Sequence, residues 1–104
     1  MLFRSIRTFE TATRYTLDLN AVPILKAKTH LPVVVDPTHG VGLREFIPQM
    51  ALAAVAAGAD AIMLEVHDTP DLAKSDGEQA LFPDMLAKLV PRLRAVANAV
   101  GRDL

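Results

Sequence analysis

No cysteine occurs among the 104 residues, and that one absence removes several kinds of chemistry. There is no disulfide framework, no thiolate metal ligand and no cysteine nucleophile within this stretch. A reducing, cytoplasmic setting is compatible with that. Long apolar runs are also missing: nothing approaches the roughly 18 residues of a membrane span, and Met1-Leu2-Phe3-Arg4-Ser5 lacks the apolar core of a signal peptide. Nor is there an excess of one charge, since 11 Lys and Arg oppose 12 Asp and Glu for a formal net charge of −1. That balance leaves no basic face for nucleic acid and no polybasic anchor for a membrane. Internal repeats beyond a βα unit and low-complexity linkers are absent as well. What is present, 51% apolar and 22% charged residues, describes one soluble globular unit at most, acting on small molecules.

Apolar spacing predicts a helix over Leu19 to Lys28, with Pro23 confined to its first turn. Leu31 to Asp36 is a short Val-rich run between Pro32 and Pro37, the pattern of a strand buried on both faces. Leu43 to Ala57 returns to helical composition, with Pro48 in its first turn or at a kink and Gly58 as its stop. Ala61 to Val66 reads as a second buried strand. After a polar loop, His67 to Gln79, Pro83 opens a last helix towards Gly101 with a kink expected at Pro91.

The order helix, strand, helix, strand, helix argues for parallel βα units with right-handed crossovers. Two strands complete neither a doubly wound sheet nor a (β/α)8 barrel. A full barrel runs to about 250 residues, so the fold expected is α/β, about the last two and a half βα units of a (β/α)8 barrel. Residues 1–104 are then one partial barrel domain whose N-terminal part is missing.

The chemistry-bearing residues follow the strand-like runs, where α/β folds place reactive groups. His39 trails Val33-Val34-Val35-Asp36 and precedes Gly40 and Gly42, which let the backbone turn close to a ligand. Glu65 closes the apolar run Ala61-Ile62-Met63-Leu64, where a buried carboxylate without a partner is expensive. Asp76, in Ser75-Asp76-Gly77, is by itself a turn residue. One imidazole and two carboxylates suit Mn²⁺, Fe²⁺, Co²⁺ or Zn²⁺, while a structural histidine and a turn aspartate are the alternative. Arg4 and Arg7, three apart, either capture phosphate or carboxylate through their guanidinium forks or belong to a solvated arm. His67 is two residues beyond Glu65 and would share its side of an extended strand, as a substrate contact or as a loop residue. His30, Arg14 and Arg44 read as solvated or helix-end groups.

Three motifs occur in order: Ile-Arg-Thr-Phe-Glu-x-Ala-Thr-Arg-x-Thr-Leu-Asp-Leu, Val-Asp-Pro-Thr-His, and Glu-Val-His followed by Lys-Ser-Asp-Gly-Glu-Gln. Over essentially the whole chain they resemble the C-terminal portion of the type Iβ 3-deoxy-D-arabino-heptulosonate 7-phosphate (DAHP) synthases. The 3-deoxy-octulosonate 8-phosphate synthases share the His, Glu and Ser-Asp-Gly positions but carry a Phe-Gly-Tyr-Asn-Asn-type segment where this chain has Arg7-Thr8-Phe9-Glu10. The resemblance implies a metal-dependent barrel enzyme that joins phosphoenolpyruvate to erythrose 4-phosphate and releases phosphate, the first step of the shikimate route. It implies that His39, Glu65 and Asp76 are three of four metal ligands and that Arg4 holds the phosphoenolpyruvate phosphate, with Arg7 beside it in the substrate-binding motif. Asp36 and His67 fall on motif positions near the site, in a supporting catalytic role. A homo-oligomer is expected of the full-length enzyme.

The departures are equally specific. The family's fourth ligand, a cysteine, and its lysine contact to substrate lie upstream of the segment matched here. Phe3 and Ser5 stand where the family has Glu and Gly around the phosphate-binding arginine. The expectations are therefore two: a synthase segment that acts only with the remaining βα units, or a catalytically inert barrel piece or interaction module.

Overall fold

The computed structural model describes residues 1–69 and 78–104. Three short strands, β1 (Leu2–Phe3), β2 (Val34–Val35) and β3 (Ala61–Ile62), form a parallel sheet in sequential order. Their registers align Leu2 with Val34 and Ala61, and Phe3 with Val35 and Ile62. The crossovers are helical: α1 (Ala21–Lys28) connects β1 to β2 and α3 (Ile47–Ala56) connects β2 to β3, while α4 (Pro83–Ala99) follows β3. Among the described residues each outer strand pairs on one side only.

β1 is the element that the sequence reading lacks. Two apolar residues ending at Arg4 carry no periodicity, so the strand exists only through its partner: the Val34 amide donates to the Met1 carbonyl at 2.7 Å and the Asp36 amide to the Phe3 carbonyl at 2.9 Å. The two predicted strands are present but shorter than their apolar runs. Beyond β3 the chain is still tied to β2, through Met63 donating to the Val35 carbonyl, and Val66 bridges to Leu81 in parallel fashion.

A further departure follows β2. Where a loop was expected, Pro37–Val41 forms a five-residue helix, α2. Asp36 is its N-cap, its carboxylate accepting from the His39 amide, and Pro37 occupies the first helical position, where its missing N–H costs nothing. Gly42 ends it at φ 77°; a Cβ there would meet the Tyr15 ring at 2.7 Å, so glycine is required on both grounds. A 3₁₀ turn, Arg44–Phe46, then leads into α3, whose first turn contains Pro48. Helix α4 continues through Pro91.

The helices cover one face of the sheet. Leu89 and Leu93, four residues apart on α4, are buried with Ile47, Ala51 and Leu52 of α3 and with Leu81, and Ala97, four residues further on, is buried as well. A second cluster joins Val22 of α1 to Val33, Val35, Ala54 and Ala59. The register row Phe3, Val35, Ile62 packs into these clusters, whereas Leu2 and Ala61 of the neighbouring row are exposed. No described helix is long and apolar enough to cross a membrane.

Asp60, just before β3, ties this layer together. Its carboxylate accepts from Lys26 Nζ of α1 at 2.8 Å, from the Val33 amide at 2.7 Å and from Arg102 Nη2 at 3.0 Å. Chiefly Lys26, then the Val33 amide and Arg102, hold its pKa well below the usual carboxylate range. A depressed folded-state pKa gives stability that is complete above the unfolded value near ~4 and lost as pH falls towards the folded one. Because Lys26 and Arg102 are themselves partly exposed, Asp60→Asn is expected to cost only about 1–2 kcal/mol at pH 7. The gap between the two thermal midpoints should narrow steadily as pH falls from about 4 towards 2; a gap that stays constant over that range would contradict this account.

Candidate active site

Side chains alternate faces along a strand, so Arg4 projects to the same side as Leu2, and Asp36 to the same side as Val34. This is the face away from the helices. Glu65, beyond β3, is brought beside them by Thr38: the Glu65 amide donates to Thr38 Oγ1 at 3.1 Å, and Thr38 is 1% exposed. Four predicted residues thus meet at the carboxyl ends of three parallel strands.

Asp36 is the centre of the group and is fully buried. Its Oδ2 lies 3.0 Å from Arg4 Nε and 2.6 Å from His39 Nδ1, while Oδ1 accepts from the His39 amide at 3.0 Å. A buried carboxylate with three N–H partners is fully compensated. Ser5 Oγ donates to the His39 carbonyl at 3.1 Å, fixing the same turn from the β1 side. Nδ1 faces a carboxylate, which only accepts, so a proton belongs on Nδ1, and Nε2 is the nitrogen left to offer a metal. Nε2 faces Glu65 Oε2 at 3.8 Å.

Glu65 is about one-third exposed, not buried as the apolar run before it implied. His39 and Glu65 present an imidazole nitrogen and a carboxylate oxygen towards one another, a donor pair that suits a divalent transition metal. The third candidate ligand, Asp76, lies outside the described residues, and among those described no group of three donors forms a metal cluster.

Arg7 and His67 have different neighbours. Arg7 lies over the Tyr15 ring at 5.3 Å, and Arg14 packs against the same ring at the same distance. Hydrogen bonding to Arg14, then to Arg7, lowers the Tyr15 pKa. Arg14 also donates to the Gly42 carbonyl and to Glu78, so this arginine fastens the segment after β1 to the end of α2. An apolar cleft of about 720 Å³ opens there, between Tyr15, Leu17, Leu43, Phe46 and Met50. His67 accepts from the Thr69 amide through Nδ1 at 2.9 Å and faces Asp68 at 3.3 Å. No described contact links Arg7 or His67 to Asp36, His39 or Glu65.

Sequence reasoning passed over Thr38 and Ser5, which act through backbone groups and leave only a weak composition signal. It also passed over Arg44 as a structural clamp: Nε donates to the Ala80 carbonyl at 2.6 Å and the guanidinium stacks 4.4 Å above Phe82.

The chain is similar to known proteins over most of its length. Phospho-2-dehydro-3-deoxyheptonate aldolase of Thermotoga maritima is 47% identical over 98 residues, which are 94% of this chain and 29% of that protein. 2-Dehydro-3-deoxyphosphooctonate aldolase of Desulfosudis oleivorans is 43% identical, over 80% of this chain and 34% of its own length. A crystal structure of the Thermotoga maritima DAHP synthase superposes with a TM-score of 0.93 at 45% identity, covering 98% of this chain and 30% of that one. The chain therefore spans about a third of the length of the relatives it matches, and its sheet and helices are the C-terminal part of a (β/α)8 barrel. With residues 1–100 matching that family throughout, the chain belongs to the DAHP synthetase I family.

Proposed function

We propose that this chain supplies the C-terminal third of a barrel that condenses phosphoenolpyruvate with erythrose 4-phosphate to DAHP and phosphate. The observation that carries the proposal is the Arg4–Asp36–His39–Glu65 group at the strands' carboxyl ends, in which a guanidinium and an imidazole share one buried carboxylate and the imidazole faces a second carboxylate with its other nitrogen. Arg4, half exposed with Nε engaged by Asp36, would neutralise the phosphoenolpyruvate phosphate through its terminal amino groups. His39 and Glu65, joined by Asp76, would hold Mn²⁺, Fe²⁺, Co²⁺ or Zn²⁺; a bound divalent ion supplies Lewis-acid polarisation of the aldehyde oxygen. Carbon 3 of phosphoenolpyruvate then attacks the aldehyde carbon, water adds at carbon 2, and phosphate departs. The whole barrel would act as a homo-oligomer.

The octonate relatives favour a second reading, because an eight-carbon product needs a five-carbon aldose phosphate in place of erythrose 4-phosphate. Both readings are tested by combining this chain with a polypeptide carrying the remaining barrel strands of the Thermotoga maritima relative. Phosphoenolpyruvate-dependent phosphate release is then measured with each aldose phosphate. Turnover with erythrose 4-phosphate is expected, and turnover restricted to the five-carbon sugar would select the second reading. A co-purifying pair inactive on both would overturn the proposal.

A further inference from the structure

Metal donor and phosphate-binding arginine are not independent: both are fastened to a single oxygen, Asp36 Oδ2, at 2.6 Å from His39 Nδ1 and 3.0 Å from Arg4 Nε. The other oxygen, Oδ1, accepts from the His39 amide and caps α2. We propose that Asp36 is a positioning residue for both halves of the site: it keeps a proton on His39 Nδ1, so that Nε2, which faces Glu65, is the nitrogen offered to a metal, and it aims the Arg4 guanidinium. The inference rests on the metal and phosphate roles given above, and it assigns Asp36 no contact with substrate.

Three observations support it. Asp36 is completely buried, so water does not compete for Oδ2, and a carboxylate there accepts from whichever protons face it. Its backbone is held on both sides, by its amide donating to the Phe3 carbonyl and its carbonyl accepting from Gly40, so the carboxylate is not free to swing. His39 is gripped at its amide as well as its ring, so rotation of the imidazole would break the contact to Oδ2 without relieving the cap. A carboxylate on the far nitrogen of a metal-binding histidine fixes the tautomer and raises the basicity of the ligating one, and losing such a partner typically weakens metal binding by ~10–100-fold.

Asp36→Ser separates positioning from folding. Serine is an equally good N-cap and can still accept from the His39 amide, but it is too short to reach the ring or Arg4. The His39 ring is read in the 104-residue chain by long-range proton–nitrogen NMR at neutral pH, without metal or substrate. The wild type is expected in the Nδ1–H form, and Asp36→Ser shifted towards Nε2–H with an unchanged helical circular dichroism spectrum. Mn²⁺ titration should then show about 10–100-fold weaker binding in the variant. A wild-type ring with no proton on Nδ1 would overturn the proposal whether or not the variant folds, and so would a variant that keeps the wild-type protonation pattern. Undetectable Mn²⁺ binding by a wild type with the expected tautomer would count against the proposed function instead.

Discussion

Mn²⁺ binding by this chain is expected to weaken by at least about 100-fold when Glu65 is replaced by alanine. Losing a group that merely orients a ligand already costs ~10–100-fold, and Glu65 would be a ligand itself. Its carboxylate faces His39 Nε2 at 3.8 Å, and without it the described residues retain one imidazole in place of an imidazole and a negative charge. A hard divalent ion exchanges its hydration shell only for donors that return comparable electrostatic energy, which a single neutral imidazole does not. The fold should be almost indifferent to the change. Glu65 is partly exposed and its backbone amide, not its side chain, makes the hydrogen bond to Thr38, so stability should move by no more than about 0.5 kcal/mol. Titration of Mn²⁺ against wild type and Glu65→Ala, with circular dichroism on both, checks the two halves of this expectation. Equal affinity would remove Glu65 from the metal site.

The second large effect concerns the scaffold. Leu89→Ala is expected to destabilise the chain by about 2–5 kcal/mol. Leu89 is 1% exposed and packs with Leu93 of α4 against Ile47, Ala51 and Leu52 of α3, near Leu81. Those neighbours come from two helices and the segment preceding α4, so none can collapse into the vacated volume without moving another element. Small domains have only about 5–15 kcal/mol in total, so this single truncation removes a large fraction. The urea midpoint is the readout, and a shift corresponding to less than about 1 kcal/mol would mean that the α3–α4 interface is not the principal core.

Much of this architecture is legible in the sequence where the signal is local. Helix α4 shows itself in the four-residue spacing of Leu89, Leu93 and Ala97 and in Pro83 at its start, and α3 in its Ala-rich run ending at Gly58. What escaped is held by distant partners. β1 is two residues whose strand character comes entirely from pairing with β2. Helix α2 was marked by Asp36-Pro37, a cap followed by proline at the first helical position, but two glycines close behind read more readily as loop. At the site, His39, Glu65 and Arg4 could be picked out by residue type and position after strands. The shared attachment of Arg4 and His39 to Asp36 could not, because a contact between residues 4 and 36 leaves no trace in spacing. Arg7 has the right chemistry for anion capture, and its place over the Tyr15 ring is a contact that only the tertiary fold reveals.

The register row of Leu2, Val34 and Ala61 has a bearing on how this protein tolerates change. On the side away from the helices these three side chains face the barrel's interior, where neighbouring strands contribute to different layers and each layer is filled by alternate strands around the whole circle. Most of that circle is contributed by strands other than β1, β2 and β3. The volume permitted at Val34 is therefore set by side chains across the barrel, and a bulkier residue there would leave the α3–α4 core untouched while deciding which opposite strands can close against it. Substitutions at these positions should consequently be judged by matching to the rest of the barrel, whereas those at Leu89 or Ile47 are judged by this chain's own stability.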